Sequence, residues 1–252
     1  MLTSKTRMRC EDCLIHNRMI CQTTSDQVIE ELSKISRIRK VKAGQTIIPE
    51  SDSFDVVGNV VSGVVKLTTT MEDGRQQNVG LLFPSDFFGH PFSETSRFAY
   101  EAASDVEVCV FELHAFEAML KRHPEIEHQL LLKVLNQLDS TREWVVLLGS
   151  QNAKERICSF LVLLLRRSSY LGCTKHGFDE NPVIHLPIKR SDIALALATT
   201  VETISRQIHN LQKQGVLRII ESNTFEIIEP DRLCHLAGHE EWLKDWSVPA
   251  LT

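Results

Sequence analysis

Three of the chain's seven cysteines stand close together near its start, Cys10, Cys13 and Cys21 in a C-x2-C-x7-C spacing, and a fourth, Cys109, follows at a distance. Four thiolates are the complement that a cubane [4Fe–4S] cluster needs, and thiolates are the usual ligands of such clusters. Structural zinc uses the same four sulfurs, or His16 in place of one, and spacing alone does not separate the two metals. A thioredoxin-like redox pair at Cys10 and Cys13 is a third chemistry, but the βαβ context that this motif needs is absent from the sequence. A second group with chemical potential is Glu202, Ser205 and Arg206, which share one helix face at i, i+3 and i+4. A guanidinium grips guanine O6 and N7 together, a carboxylate accepts from cytosine N4, and a hydroxyl meets a base or a phosphate. Taken alone, such a trio is also what a solvated face with a Glu202–Arg206 ion pair looks like, so the elements around it decide.

Those elements are a helix-turn-helix. Lys189 to Leu197 has an amphipathic helical pattern with Ile193, Ala194 and Leu197 inward, Ala198-Thr199-Thr200 makes a turn, and Val201 to Gln214 is a second helix with Ile204, Ile208 and Leu211 inward. Gly215 closes it. Val216 to Ile220 and Phe225 to Ile228, bracketing Ser222-Asn223, form a hairpin wing. The trio therefore lies near the N-terminal end of a recognition helix, where base edges are read.

The cysteines need a different frame. Residues 1–22 are polar, Cys- and Met-rich and without period, so a ligand must pin them. A short helix over Thr24 to Ile35 follows, with Thr24 and Gln27 placed as a capping box. Between Arg37 and Glu112, glycines separate β-branched runs such as Val56-Val57, Val60-Val61, Val64-Val65 and Val106 to Phe111, the pattern of an antiparallel barrel or jelly roll. Asp73-Gly74 is its clearest hairpin signal. Beyond Pro124 the pattern becomes one long helix, with Leu131, Val134, Leu138, Thr141, Val145 and Leu148 at alternating three- and four-residue steps. Periodicity fits a coiled-coil seam and a helix packed on its own barrel equally well. Length favours a homodimer, because about 25 residues span roughly 40 Å, more than one small barrel covers. A further helix, Ala153 to Tyr170, precedes the DNA-reading unit.

Composition is that of an ordinary soluble protein, with 252 residues, 42% hydrophobic and 24% charged. The net charge of −5 excludes a protein that coats nucleic acid by bulk positive charge, so any DNA contact must be local. Apolar runs such as Phe160 to Leu165 are too short to cross a bilayer and the first residues lack a secretory core, so a cytoplasmic location without membrane contact is expected. Cysteines in that compartment point to metal or redox chemistry rather than disulfides. Cys158, Cys173 and Cys234 fit no ligand position and are expected to be structural.

Over nearly its whole length the chain resembles the Crp/Fnr superfamily of bacterial regulators, and within it the FNR branch. Val201-Glu202-Thr203-Ile204-Ser205-Arg206 is similar to the branch's recognition-helix signature, and Asn152-Ala153-Lys154-Glu155-Arg156-Ile157 to the family's junction between dimer helix and DNA-binding domain. The resemblance implies an α+β protein, not an enzyme: a cysteine-rich segment (1–22), a β-roll sensor (23–123), a dimerisation helix (124–150) and a winged helix-turn-helix (151–252). It implies an inverted-repeat operator of TTGAT and ATCAA half-sites read by Glu202, Ser205 and Arg206. The cysteine arrangement resembles that of FnrL/FnrN-type oxygen sensors, which implies an oxygen-labile [4Fe–4S] cluster on Cys10, Cys13, Cys21 and Cys109. A cyclic-nucleotide regulator of the superfamily carries a Gly-Glu pair and an Arg-Ser or Arg-Thr pair in the roll, whereas this chain has Gly89-His90 and Arg97-Phe98. The branch's best-known pattern also places an acidic residue in the dimer seam where this chain has Thr141, which implies readier dimerisation of the cluster-free form. For transcription activation, the family places one RNA polymerase patch at the turn Asp73-Gly74-Arg75-Gln76.

Overall fold

A computed structural model describes residues 20–21, 25–93, 95–170 and 181–238. The chain divides into two compact units, residues 1–142 and 143–252.

The first unit opens with α1 (Asp26–Ile35), which buries Val28 and Leu32. Its N-cap is Ser25, which makes no side-chain capping bond. The N-cap thus falls one residue after the expected Thr24, and Val28 at its N3 position cannot complete a capping box; Thr24 itself lies outside the described residues. Asp26 in the first turn complements the helix dipole instead. Eight strands follow: β1 (Ser36–Val41), β2 (Thr46–Ile48), β3 (Val56–Ser62), β4 (Val65–Thr70), β5 (Gln76–Leu82), β6 (Phe87–Phe88), β7 (Ala99–Ala102) and β8 (Val106–Glu112). They form two four-stranded antiparallel sheets, ordered β1-β8-β3-β6 and β2-β7-β4-β5. This is the antiparallel roll that the β-branched runs imply. The Asp73-Gly74 turn joins β4 to β5 as expected: Gly74 takes φ +81°, and Asp73 accepts from the Arg75 backbone N–H and Nε at 3.1 and 2.7 Å.

α2 (Leu113–Arg122) was not foreseen. Glu112 caps it by accepting from the His114 and Ala115 backbone N–H groups, and it buries Leu113, Phe116, Met119 and Leu120. Phe116 stacks on Phe87 and Phe111, with ring centroids 5.9 and 5.1 Å apart, and so covers part of the outer face of the first sheet. α3 (Pro124–Ser150) is continuous over its 27 residues.

In the second unit α4 (Ala153–Tyr170) starts in a capping box: Asn152 Oδ1 accepts from the Lys154 and Glu155 N–H groups, and Glu155 Oε2 accepts from the Asn152 N–H. Then come β9 (Val183–His185), α5 (Arg190–Ala196), α6 (Val201–Lys213), β10 (Leu217–Glu221), β11 (Thr224–Ile227) and α7 (Pro230–Leu236). The wing is a three-stranded sheet, β10-β11-β9, one strand more than the hairpin expected. Among the described residues no helix is long and apolar enough to cross a membrane.

Strand β8 is the centre of the first sheet, paired to β1 on one edge and to β3 on the other. The second pairing leaves no room for a side chain at Gly58: a Cβ there would lie 2.2 Å from the Cys109 carbonyl oxygen and 3.0 Å from Phe88 Cζ. Backbone cannot rotate away as a long side chain can, so Gly58→Ala should destabilise the roll by about 1–3 kcal/mol, the usual cost of overpacking. Thermal melting of the metal-free protein checks this; an unchanged midpoint contradicts so close an approach.

Candidate ligand and DNA-reading sites

Of the four expected cluster ligands, Cys21 and Cys109 are described and both are buried, while Cys10 and Cys13 lie outside the described residues, as does His16. Among the described residues, no group of three or more His, Cys, Asp or Glu side chains gathers as a metal site. Cys109 sits in the middle of β8, opposite Ile38 on β1 and Asn59 on β3, and Asn59 in turn faces Phe87 on β6. Directly opposed residues of antiparallel strands project to the same face. Phe87, Asn59, Cys109 and Ile38 thus form one row across the outer face of the sheet. Asn59 is the polar anomaly in that row: it is fully buried, and neither its Nδ2 nor its Oδ1 has a hydrogen-bond partner among the described residues.

Cys158 behaves differently. It is buried in α4, and desolvation pushes its thiol up to about 11, so it stays protonated and unreactive at neutral pH, as a structural cysteine does. Cys173 lies outside the described residues.

Where a cyclic-nucleotide regulator would hold a phosphate, the side chains do not suit one, in line with the sequence. Gly89 keeps the left-handed backbone, φ +90°, with Val57 Cγ1 2.8 Å from where a Cβ would be. His90 follows it where a ribose-binding carboxylate is wanted, Arg97 is exposed, and Phe98 replaces the hydroxyl. Tyr100 is buried nearby, its ring 6.1 Å from that of Phe88.

Along α3, Leu131, Val134, Leu138 and Val145 of the expected seam are exposed by 53, 47, 44 and 67%, and Leu135 beside them by 46%. Leu148 is half-buried. Thr141 is exposed and neutral, and its hydroxyl donates within the helix to the Gln137 carbonyl at 2.8 Å. Gln137 donates to the Phe87 carbonyl at 2.8 Å, anchoring α3 to β6. Asp139 is held by Arg142 at 2.9 Å.

The DNA-reading unit matches its sequence pattern closely. α5 and α6 are joined by a tight turn in which Ala198 takes φ +48° and the Thr199 N–H donates to the Ala194 carbonyl at 2.9 Å. Thr200 caps α6 by accepting from the Thr203 N–H at 3.2 Å. At the other end Gly215, φ +74°, completes a Schellman motif, with the Val216 N–H on the Leu211 carbonyl and the Gly215 N–H on the Gln212 carbonyl, both at 3.0 Å. Ile204, Ile208 and Leu211 are buried, which leaves Glu202 and Arg206 exposed and Ser205 half-exposed on the other side. Its own backbone N–H and then the Thr200 hydroxyl hold the Glu202 carboxyl below the usual carboxylate range, so it remains an ionised acceptor. Arg206 Nη2 donates to Thr203 Oγ1 at a long 3.3 Å, a light tether that leaves the guanidinium available.

A residue without an assigned role in the sequence reading supports this unit. Arg156 sends Nε to the Gln151 carbonyl at 2.9 Å, Nη2 to the Leu148 carbonyl at 2.8 Å and Nη1 to the Leu197 carbonyl at 3.1 Å. Carbonyls in the last turn of a helix have no partner within it. One planar fork thereby serves both the end of α3 and the end of α5, which a lysine's single ammonium cannot do. The Asn152-Ala153-Lys154-Glu155-Arg156 motif carried the signal; the bonding partners are visible only in three dimensions.

Comparison with known proteins places both units. Residues 38–123 match the cyclic nucleotide-binding domain family and residues 155–236 the Crp-like helix-turn-helix domain family. The transcriptional activator protein FnrL of Cereibacter sphaeroides is 38% identical over 92% of this chain and 93% of its own. The fumarate and nitrate reduction regulatory protein of Escherichia coli K12 is 28% identical over 92% of this chain and 91% of its own. Among solved structures, FixK2 from Bradyrhizobium japonicum superposes with a TM-score of 0.70 at 26% identity, covering 80% of this chain and 97% of that one. On the strength of its roll, its helix-turn-helix and its full-length relatives, the chain belongs to the Crp/Fnr family of transcription regulators, a family of DNA-binding proteins and not of enzymes.

Proposed function

We propose that this chain is a cytoplasmic, oxygen-responsive transcription regulator that holds a [4Fe–4S] cluster on Cys10, Cys13, Cys21 and Cys109 and, with the cluster intact, binds inverted-repeat DNA of TTGAT/ATCAA type as a homodimer. The observation that carries the reading is the burial of Cys21 and Cys109, one preceding α1 and the other on the central strand of the roll. Soft thiolates in a water-poor setting fit iron and inorganic sulfide. The orphaned amide of Asn59, beside Cys109 on the same sheet face, fits a group that brings acceptor atoms to that spot. The relation to FnrL supports the same reading. When bound, the cluster supplies the reaction with oxygen whose outcome is its own loss.

The chain's residues do the rest. Cys10, Cys13 and Cys21 tie the N-terminal segment to β8 through Cys109. α3 presents Leu131, Val134, Leu138, Thr141, Val145 and Leu148 to a second copy, since exposed apolar side chains at this spacing are covered by a partner helix. Pairing sets two α6 helices into successive major grooves, where Glu202, Ser205 and Arg206 meet base edges. RNA polymerase is met at the Asp73–Gln76 turn, an exposed hairpin tip.

Three results follow from this reading. A titration of anaerobically reconstituted protein against an inverted-repeat duplex, repeated after exposure to air, should show affinity falling by roughly 10- to 100-fold, the usual span of coupling between two sites; equal affinity in both states removes the oxygen link. Arg206→Ala should cost about 1–3 kcal/mol on the operator and relax the preference at one base pair per half-site. Equal weakening on all sequences contradicts base reading by Arg206. Because Thr141 adds no charge to the seam and its hydroxyl is already satisfied, sedimentation of the cluster-free chain at micromolar concentration should show a dimer; a monomer there contradicts the seam as drawn.

A further inference from the structure

Asn59 is fully buried between Phe87 and Cys109 in the row across the first sheet, yet both ends of its amide are unpaired among the described residues. Its surroundings make this unusual. Phe87 stacks against Phe116 on one side, Val57 and Phe111 occupy the adjacent row, and all four are buried. An apolar side chain of the same size would fill the site without an unmet donor or acceptor, and buried amides are almost always hydrogen-bonded. An asparagine there is explained by an acceptor that arrives with something else.

Cys109 is the neighbour through which such an acceptor arrives. A thiolate-ligated iron–sulfur centre is acceptor-only at its sulfurs and carries negative charge, and an amide NH2 brings two donors. We propose that Asn59 is a positioning residue for the cluster: its Nδ2 donates to sulfur at the Cys109 corner, raising the reduction potential and slowing loss of the cluster in oxygen. This rests on the cluster assigned in the preceding subsection. Hydrogen bonds to cluster and ligand sulfurs set potential and stability in such centres. The Oδ1 end then faces away from the sulfur, oriented by the repulsion between two acceptors.

Asn59→Leu separates this role from a merely structural one. In the cluster-free protein the substitution removes an orphaned amide, so the melting temperature should stay the same or rise. In anaerobically reconstituted protein the same substitution should lower the midpoint potential and speed bleaching of the visible absorption in air by roughly tenfold, the lower end of what supporting-shell changes do to metal sites. Equal bleaching rates and potentials in fully loaded wild type and Asn59→Leu overturn the inference while leaving the cluster assignment intact. A fall in the melting temperature of cluster-free Asn59→Leu also overturns it, because the amide then serves the protein alone. Wild type that takes up neither iron nor sulfide overturns the cluster assignment and this inference together.

Discussion

The structure depends on strand β8 being hydrogen-bonded along both edges. Pairing to β1 and β3 fixes the backbone on either side of Cys109 before any ligand is present, and the absent side chain at Gly58 lets β3 come close enough to do so. A ligand on such a strand is rigid. Cys21, ahead of α1, lies outside the sheets and is buried. On the proposed function, sensing would tie residues 1–22 to this strand through Cys109, and the free energy of that tie would be available to whatever packs near the roll.

α3 is the element in a position to use it. Its anchoring to β6 through Gln137 connects it to the same sheet that carries Cys109, and its exposed leucines and valines leave apolar surface along its length. At the other end of the chain, Arg156 gathers carbonyls from the end of α3, the α3–α4 connection and the end of α5, so the recognition helix is held through its neighbour in a single charged fork.

Much of this was legible in the sequence where local chemistry decides local shape. The Asp73-Gly74 turn, the α5–α6 pair with its closing Gly215, and α3 starting at Pro124 all follow from turn residues, caps and period. α2 was hidden because its apolar positions, from Leu113 to Leu120, continue directly from the apolar strand β8, so the change of period was blurred. β9 is too short to show alternation. The polar anomaly at Asn59 and the fork of Arg156 depend on which strands and helix ends meet in space, and nothing in the linear order of residues states that. The count of thiols and the family likeness point to Cys109 as a ligand; its opposition to Asn59 follows only from strand register.

The most direct measurement is iron and acid-labile sulfide on strictly anaerobic protein, compared between wild type and Cys109→Ser. The account predicts about four irons and four sulfides per chain with broad visible absorption in the wild type, and loss of both in the variant. A colourless wild-type protein carrying stoichiometric zinc, or a Cys109→Ser protein that retains the full complement of iron, would contradict it.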